Sequence, residues 1–355
     1  MSLIGAVPER RTTRIRRELS SSRAVVMLLV PLAVLTFSLW QFGPWAQRAF
    51  TEYQLPRDAD IPAAIAAGAD GTVWFTLDTS SFVGLVRNGQ VRTLSTGVQN
   101  VEPLGLAVDR AGAAWYTDTS ARSVSRITPD GKVTPFYLST PVARFGRLAI
   151  APDGAVWFAD VSSDSITRIK DGVFTQHPLR APELAPFGVA VDRQGTVWAA
   201  LGAANTLLRI GPDGHMVEID APSPRAGLSD IAVGPDGSVW MVELRVNRLA
   251  RYHQGRFTEY PVPRPAAGLT ALAVAPNGDV WSTELVHHQL VRLRDGNATE
   301  FAIPRDGARP FGIAVDPAGN VWYADLSGRI GMLTSRAAQS TCVAHVRRID
   351  ICWPV

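Results

Sequence analysis

The sequence has little cysteine. Only two of its 355 residues are cysteines, Cys342 and Cys352, and both lie close to the C-terminus. Two cysteines exclude a disulfide-rich framework and cannot by themselves complete a cysteine metal site. We expect Cys342 and Cys352 to form a disulfide that closes a small loop if the chain folds in an oxidising compartment, with two unpaired thiols as the alternative.

Net charge is also scarce outside the N-terminus. Residues 1–23 contain six arginines and two glutamates, a net charge of +4, whereas the whole chain carries +3. The rest of the chain therefore carries −1, without the basic surface typical of nucleic-acid-binding proteins. The sequence predicts no nucleic-acid partner.

Charge is absent from residues 24–42, which read AVVMLLVPLAVLTFSLWQF. This length approaches the ~20 apolar residues that cross a bilayer. Because arginines precede it, the positive-inside rule predicts a cytoplasmic segment 1–23, a transmembrane anchor 24–42 and a linker 43–50. No cleavage site of the A-x-A kind is evident, so we expect a retained anchor, with a cleaved signal as the alternative. A single-pass membrane protein with a periplasmic or extracellular main domain follows.

Most of the remaining sequence is repetitive. Seven tryptophans recur at intervals of 41 or 42 residues: Trp74, Trp115, Trp157, Trp198, Trp240, Trp281 and Trp322. A period near 40 residues with four short apolar runs per repeat is typical of one β-propeller blade. The simplest interpretation of each tryptophan is packing between neighbouring blades. The predicted fold is all-β, a seven-bladed propeller of four-stranded blades over residues 51–334.

The chain ends predict how the ring closes. The later repeats end on strands such as TEYPVP and TEFAIP, yet a copy of this strand, TEYQLP at residues 51–56, precedes the first complete repeat. The seventh repeat stops after its third strand near Thr334. We therefore expect residues 51–56 to supply the fourth strand of the last blade. The tail 335–355 follows no repeat, and we assign it no position.

Residues that begin the first strand, or end the second, of each blade should surround one mouth of the central channel, the default ligand site. The first set is Ala63, Leu104, Gly146, Phe187, Ser229, Thr270 and Phe311, and the second is Asp78, Asp118, Asp160, Leu201, Glu243, Glu284 and Asp325. We expect most of these acids to be structural. They could bind N–H groups of the following loop or pair with the third-strand arginines Arg126, Arg168, Arg209, Arg251 and Arg292.

Blades five and six offer the clearest candidate chemistry. Glu243 and Glu284 end neighbouring second strands, and His287 and His288 follow Glu284. Carboxylates and imidazoles on adjacent loops could bind a divalent ion or supply a base that titrates near neutrality. Solvated loop histidines are the alternative. The candidate catalytic residues are thus His287, His288 and Glu284, and the candidate metal ligands are Glu243 and Glu284.

The repeat pattern G-[IL]-A-V-x-x-x-G-x-V-W-[FY]-x-[DE], followed by R-I, D-G and T-E-[FY]-x-[IVL]-P, resembles the virginiamycin B lyase (streptogramin lyase) family. The resemblance implies a seven-bladed propeller that opens a cyclic antibiotic by elimination. It also implies a magnesium ion held by glutamates and a histidine, with a second histidine as base. The corresponding positions here hold Thr270, Phe311, Arg309 and Leu326, the last beside Asp325. None of the four matches, and a phenyl ring cannot accept a proton.

Two hypotheses follow. The first is a monomeric, membrane-anchored, non-catalytic propeller that binds a small molecule or protein at the channel mouth. Its binding residues would be Phe187, Thr270, Phe311, Leu104, Arg309 and Ser229. The second is a divergent, magnesium-dependent lyase or hydrolase acting on a cyclic ester, built on the acids and histidines of blades five and six. A lactonase would belong here, although it would need several convergent carboxylate and amide ligands around the channel, which we do not find in the sequence.

Overall fold

The computed structural model describes residues 49–57, 59–78, 80–98 and 103–339, and the backbone alone of 341–346 and 349–353. The predicted segments 1–23 and 24–42, and most of the linker 43–50, lie outside these residues. Among the described residues, no helix is long and apolar enough to cross a bilayer.

Seven four-stranded antiparallel sheets form the described fold, and their first strands contact one another in ring order. This confirms the predicted seven-bladed propeller. Blades one to six are β2–β5, β6–β9, β10–β13, β14–β17, β18–β21 and β22–β25, and blade seven is β26, β27, β28 and β1. The strands are β1 (Phe50–Gln54), β2 (Ile61–Ala67), β3 (Val73–Asp78), β4 (Phe82–Arg87), β5 (Gln90–Ser95), β6 (Leu106–Val108), β7 (Ala114–Asp118), β8 (Ser123–Ile127), β9 (Val133–Tyr137), β10 (Phe145–Ile150), β11 (Val156–Asp160), β12 (Ser165–Lys170), β13 (Val173–Pro178), β14 (Pro186–Val191), β15 (Val197–Leu201), β16 (Thr206–Ile210), β17 (Met216–Asp220), β18 (Leu228–Val233), β19 (Val239–Glu243), β20 (Arg248–His253), β21 (Arg256–Pro261), β22 (Leu269–Val274), β23 (Val280–Glu284), β24 (Gln289–Arg294), β25 (Asn297–Ala302), β26 (Pro310–Val315), β27 (Val321–Asp325) and β28 (Arg329–Leu333).

The last blade is completed by the beginning of the propeller. Strand β1 pairs antiparallel with β28, from Phe50 opposite Leu333 to Gln54 opposite Arg329. This is the place that the TEYQLP motif predicts. The carboxylate of Glu52 on β1 accepts hydrogen bonds from Arg305 and Tyr323. Strand pairing and side-chain contacts therefore both hold the two ends of the propeller together.

The repeated tryptophans lie between blades, as predicted. Trp74 is completely buried with residues of blades one and two, and Trp198 packs with residues of blades four and five. Trp115 is the one half-buried member. The indole N–H groups of three tryptophans donate to an aspartate of the preceding turn: Trp115 to Asp109, Trp198 to Asp192 and Trp322 to Asp316.

Side-chain sizes on the second and third strands of a blade are complementary. A cross-strand pair faces the same side of the sheet in every blade. Phe75 lies opposite Gly84 in blade one, whereas Ala199 lies opposite Leu208 in blade four. A Cβ atom on Gly84 would lie 2.0 Å from Cζ of Phe75. Blades one and four therefore fill this space in opposite ways, with the large side chain on the second strand in blade one and on the third strand in blade four.

The third-strand arginines do not pair with the acids at the second-strand ends, so that part of our expectation is wrong. Arg126, Arg168 and Arg251 instead pair with Asp109, Asp153 and Asp236, which lie in the turns between the first two strands. The third strand runs antiparallel to the second. An arginine opposite the tryptophan therefore reaches the turn before that tryptophan and not the far end of the strand.

After blade seven the chain forms a short helix, α1 (Ser335–Ala338), and a hairpin of β29 (Thr341–Val346) and β30 (Ile349–Trp353). Nη1 of Arg292 donates to the carbonyl of Ala338, which connects α1 to blade six. In the hairpin backbone, Cys342 lies opposite Cys352. The side chains of this hairpin lie outside the described residues, so the disulfide stays a prediction.

Candidate functional site at the channel mouth

The first strand of six blades is irregular at its beginning. The pairing register shifts there in every blade except the second, for example between Phe145 and Leu148 and between Pro310 and Gly312. Such a bulge redirects the side chains beside it. Of the predicted mouth residues, Leu104, Phe187, Ser229, Thr270 and Phe311 are half-buried, Arg309 is exposed, and Ala63 and Gly146 are buried.

Thr270 lies where the family resemblance implies a histidine. Its hydroxyl is 2.7 Å from both the hydroxyl of Thr283 and the carbonyl oxygen of Phe311. The Thr283 hydroxyl also reaches that carbonyl, at 3.0 Å. Because one carbonyl accepts from both hydroxyls, Thr270 connects blade six to blade seven.

One ion pair crosses the channel side of the blades. Nε of Arg147 in blade three lies 3.4 Å from Oδ1 of Asp230 in blade five. Between them, blade four contributes Gly188, which has no side chain to block the contact. Nη1 of Arg147 also donates to the carbonyl of Leu104 in blade two, at 3.0 Å. Sequence reasoning missed this pair, although a charge at each of these otherwise small positions is a visible signal.

Several second-strand acids bind the following loop, as one of our two interpretations predicts. Oδ1 of Asp118 accepts from the amide of Ala121, and Oδ1 of Asp160 accepts from the amides of Ser162 and Ser163. Asp325 accepts from the amide of Ser327 in the following loop and also from the amide of Arg309, which precedes the first strand of blade seven. These carboxylates shape the mouth loops.

Glu243 in blade five is different. Its side chain is completely buried, and neither carboxylate oxygen accepts a hydrogen bond from a described residue. Burial, and secondarily the neighbouring carboxylate of Glu259, raises the pKa of Glu243 to about 7. Glu259 is itself paired with Arg248 at 2.6 Å. A protonated Glu243 can donate to Glu259, which would satisfy oxygens on both side chains.

Blade six places its acid and histidines in different surroundings. Glu284 is buried and accepts from the side-chain amide of Gln289 at 2.6 Å, and burial raises its pKa. Nε2 of His287 lies 3.0 Å from the carbonyl of Pro265. Nδ1 of His288 contacts the carbonyl of Ala308. Each imidazole thus has one nitrogen directed at a main-chain carbonyl, where it must carry the proton.

The residues at the implied magnesium positions do not fit that ion. Phe311 has no ligand atom, Thr270 is engaged between blades, and Asp325 is paired with Arg305. Within the described part of the chain, no three histidine, cysteine, aspartate or glutamate side chains form a group suited to a metal ion. These side chains therefore do not match the magnesium ligands that the resemblance implies.

Known proteins resemble the chain over the propeller. The model of the virginiamycin B lyase family matches residues 45–209 and 198–333. A virginiamycin B lyase from Nocardia farcinica is 34% identical over 188 residues, which cover 53% of this chain and 64% of that relative. The chain thus matches just under two thirds of the length of this curated relative.

Solved structures give the same result. A catalytically inactive virginiamycin B lyase from Staphylococcus aureus, crystallised with quinupristin, is 25% identical with a TM-score of 0.76, covering 80% of this chain and 98% of that one. YCF48 from Cyanidioschyzon merolae is 14% identical with a TM-score of 0.63, covering 81% and 98%, and shares the fold alone. The family model extends over most of the chain, from the end of the linker to the last propeller strand. The chain therefore belongs to the virginiamycin B lyase family.

Proposed function

We propose that this propeller is a membrane-anchored binding module that faces the periplasm or cell exterior and takes a small apolar ligand or a partner segment at its channel mouth. The main support for this proposal is the pair of residues at the channel mouth in blades six and seven. Thr270 and Phe311 stand where the family resemblance implies a metal-binding histidine and a base. An aliphatic hydroxyl engaged between blades and a phenyl ring supply neither role at neutral pH.

The mouth offers contacts suited to binding. Phe187 and Phe311 are half-buried aromatic side chains on two different blades, and Leu104 adds an apolar surface. Aromatic groups with a few polar neighbours are typical of ligand sites and of the centres of protein interfaces. Ser229 and the exposed Arg309 would supply the polar contacts.

A fragment screen by ligand-observed NMR on the full chain in detergent tests this role. We expect hits whose binding is lost in the Phe187→Ala, Phe311→Ala double variant. Tyr137→Ala provides the matched control, because Tyr137 is a 64% exposed aromatic on the outer strand of blade two. Hits that survive the double variant, or that are lost equally in the control, would refute a site at the mouth.

The alternative is a divergent metal-dependent lyase or hydrolase for a cyclic ester, with Glu243, Glu284, His287 and His288 as its residues. The pKa of Glu243, about 7, favours it, because a group that titrates near the working pH suits general acid–base catalysis. The complete burial of Glu243 argues against contact with a substrate. Magnesium binding by the purified chain that disappears in Glu284→Ala would support the alternative.

The membrane anchor is tested separately. The uncharged run 24–42 supports it, and deletion of that run should move the protein from the membrane fraction to the soluble fraction. Replacement of residues 24–42 by an unrelated apolar segment of equal length should restore membrane association. Recovery of the wild-type chain in the soluble fraction with its N-terminus intact would contradict the anchor.

A further inference from the structure

The channel side of the first strands is lined mainly by residues with little or no side chain. One position before the buried Ile, Leu or Val of each first strand, five blades have glycine or alanine: Ala64, Gly105, Gly188, Ala271 and Gly312. The other two blades have Arg147 and Asp230. Small residues fit the closest approach of the blades, since a Cβ atom on Gly188 would lie 2.5 Å from the carbonyl oxygen of Ser229. A charged pair at this level therefore needs a separate reason.

Both carboxylate oxygens of Asp230 contact residues of other blades. Its Oδ2 accepts from the amide of Leu272 in blade six at 3.0 Å, and its Oδ1 faces Arg147. The side chain of Asp230 is 10% exposed and that of Arg147 is 12% exposed. The aspartate is thus fixed by a neighbouring blade and holds the guanidinium in the channel.

Arg147 retains unused hydrogen-bonding capacity. Its Nε is buried and donates to no described residue, because the 3.4 Å contact with Asp230 lacks hydrogen-bond geometry. The hydroxyl of Ser229, next to Asp230, is likewise buried and unpartnered among the described residues. The guanidinium carbon lies 5.8 Å from the ring centroid of Phe187. Buried donors without acceptors are costly, so the unused donors of Arg147 and Ser229 favour an added acceptor beside them.

Another arginine of this chain shows what a guanidinium can hold. Nε of Arg305 pairs with Glu52 at 2.8 Å while its Nη2 pairs with Asp325 at 2.5 Å, and its side chain is 22% exposed. One partly buried guanidinium thus holds two carboxylates on adjacent nitrogens. Arg147 has one carboxylate, at the longer distance of 3.4 Å, and so lacks the second carboxylate that Arg305 holds.

We infer that Arg147 binds the carboxylate of a small monoanionic ligand whose aromatic or apolar body lies against Phe187. This inference rests on the proposed binding function of the mouth and assigns it a ligand class. The hydroxyl of Ser229 would be a second donor to the same carboxylate. Asp230 positions Arg147 but repels the ligand, which favours a single negative charge over the double charge of a phosphate.

Benzoate is the probe, and benzamide, its neutral analogue, is the control. Both are titrated by ligand-observed NMR into the full-length chain in detergent. We expect saturable benzoate binding that weakens at least tenfold in Arg147→Met and much weaker binding of benzamide. Arg168→Met is the matched control, because Arg168 belongs to the same blade but pairs with the turn residue Asp153. It should leave benzoate binding unchanged.

The direction of the change in benzoate affinity in Asp230→Asn tests the inference most sharply. The asparagine keeps an oxygen for the amide of Leu272 but removes the competing charge, so benzoate should bind at least threefold more tightly. A misfolded variant cannot produce that gain. Unsaturable benzoate binding, an unchanged affinity in Arg147→Met or weaker binding in Asp230→Asn would each overturn the inference. Fragment hits that depend on Phe187 and Phe311 but not on Arg147 would do so while leaving the binding function of the mouth intact.

Discussion

Removal of the Glu52 carboxylate should destabilise the closure of the propeller, where β1 pairs with β28. Glu52 accepts from Nε of Arg305 at 2.8 Å and from the hydroxyl of Tyr323 at 3.0 Å, and its side chain is only 17% exposed. Hydrogen bonds to charged groups contribute about 1.5 to 3 kcal/mol each. Because solvent partly screens both contacts, we take the lower end of this range, about 1.5 kcal/mol for each contact. Glu52→Ala should therefore lower the free energy of unfolding by roughly 3 kcal/mol.

The matched control uses the same place in another blade. Glu218 also lies on a fourth strand, and its arginine partner Arg180 is 63% exposed. An exposed ion pair contributes at most about 1 kcal/mol. At roughly 2 °C per kcal/mol for a large domain, differential scanning calorimetry should give a Tm loss of about 6 °C for Glu52→Ala and about 2 °C for Glu218→Ala. Equal Tm losses in the two variants would refute the claim that Glu52 stabilises the closure between β1 and β28 more than an ordinary surface ion pair does.

Two further predictions concern packing and pH. Gly84→Leu should lower the Tm sharply, because a Cβ atom at this position would lie 2.0 Å from the Phe75 ring. Adding Phe75→Ala to this variant should restore much of the Tm, because the double variant reproduces the Ala199–Leu208 pair of blade four. Additive Tm losses of the two substitutions would contradict this packing. The folded-state pKa of Glu243, about 7, is above the ordinary value of 4.5, so its contribution is present below pH 4.5 and is lost as the pH rises through 7. Urea denaturation should show an unfolding free energy that falls by roughly 3 kcal/mol across this window in the wild type but not in Glu243→Gln, and an identical pH dependence in both would contradict it.

The sequence predicts the fold because each blade repeats the same local pattern. A tryptophan every 41 or 42 residues and a turn of the kind PDG or PAG before it define the hairpins. The displaced TEYQLP motif predicts the closing strand, which pairs with β28. The positions of Phe187, Thr270 and Phe311 follow from the same repeat.

Contacts between blades are not local and could not be predicted in this way. Arg147 and Asp230 are 83 positions apart and meet only because Gly188 leaves space between their blades. The raised pKa of Glu243 depends first on its burial between strands and then on the carboxylate of Glu259 on the fourth strand, and neither can be inferred from the local pattern. Of the two predicted roles for the second-strand acids, pairing with the third-strand arginines is wrong, since charge complementarity alone does not say which end of a strand a side chain reaches.

Quinupristin ring opening tests the central claim most directly. The purified full-length chain is incubated with quinupristin and magnesium, and the linear product is measured by mass spectrometry against an active virginiamycin B lyase. With Thr270 and Phe311 at the mouth, we predict no product above the protein-free reaction. Linear product that disappears when Glu284 or His287 is replaced would contradict the claim that this mouth binds without lyase chemistry.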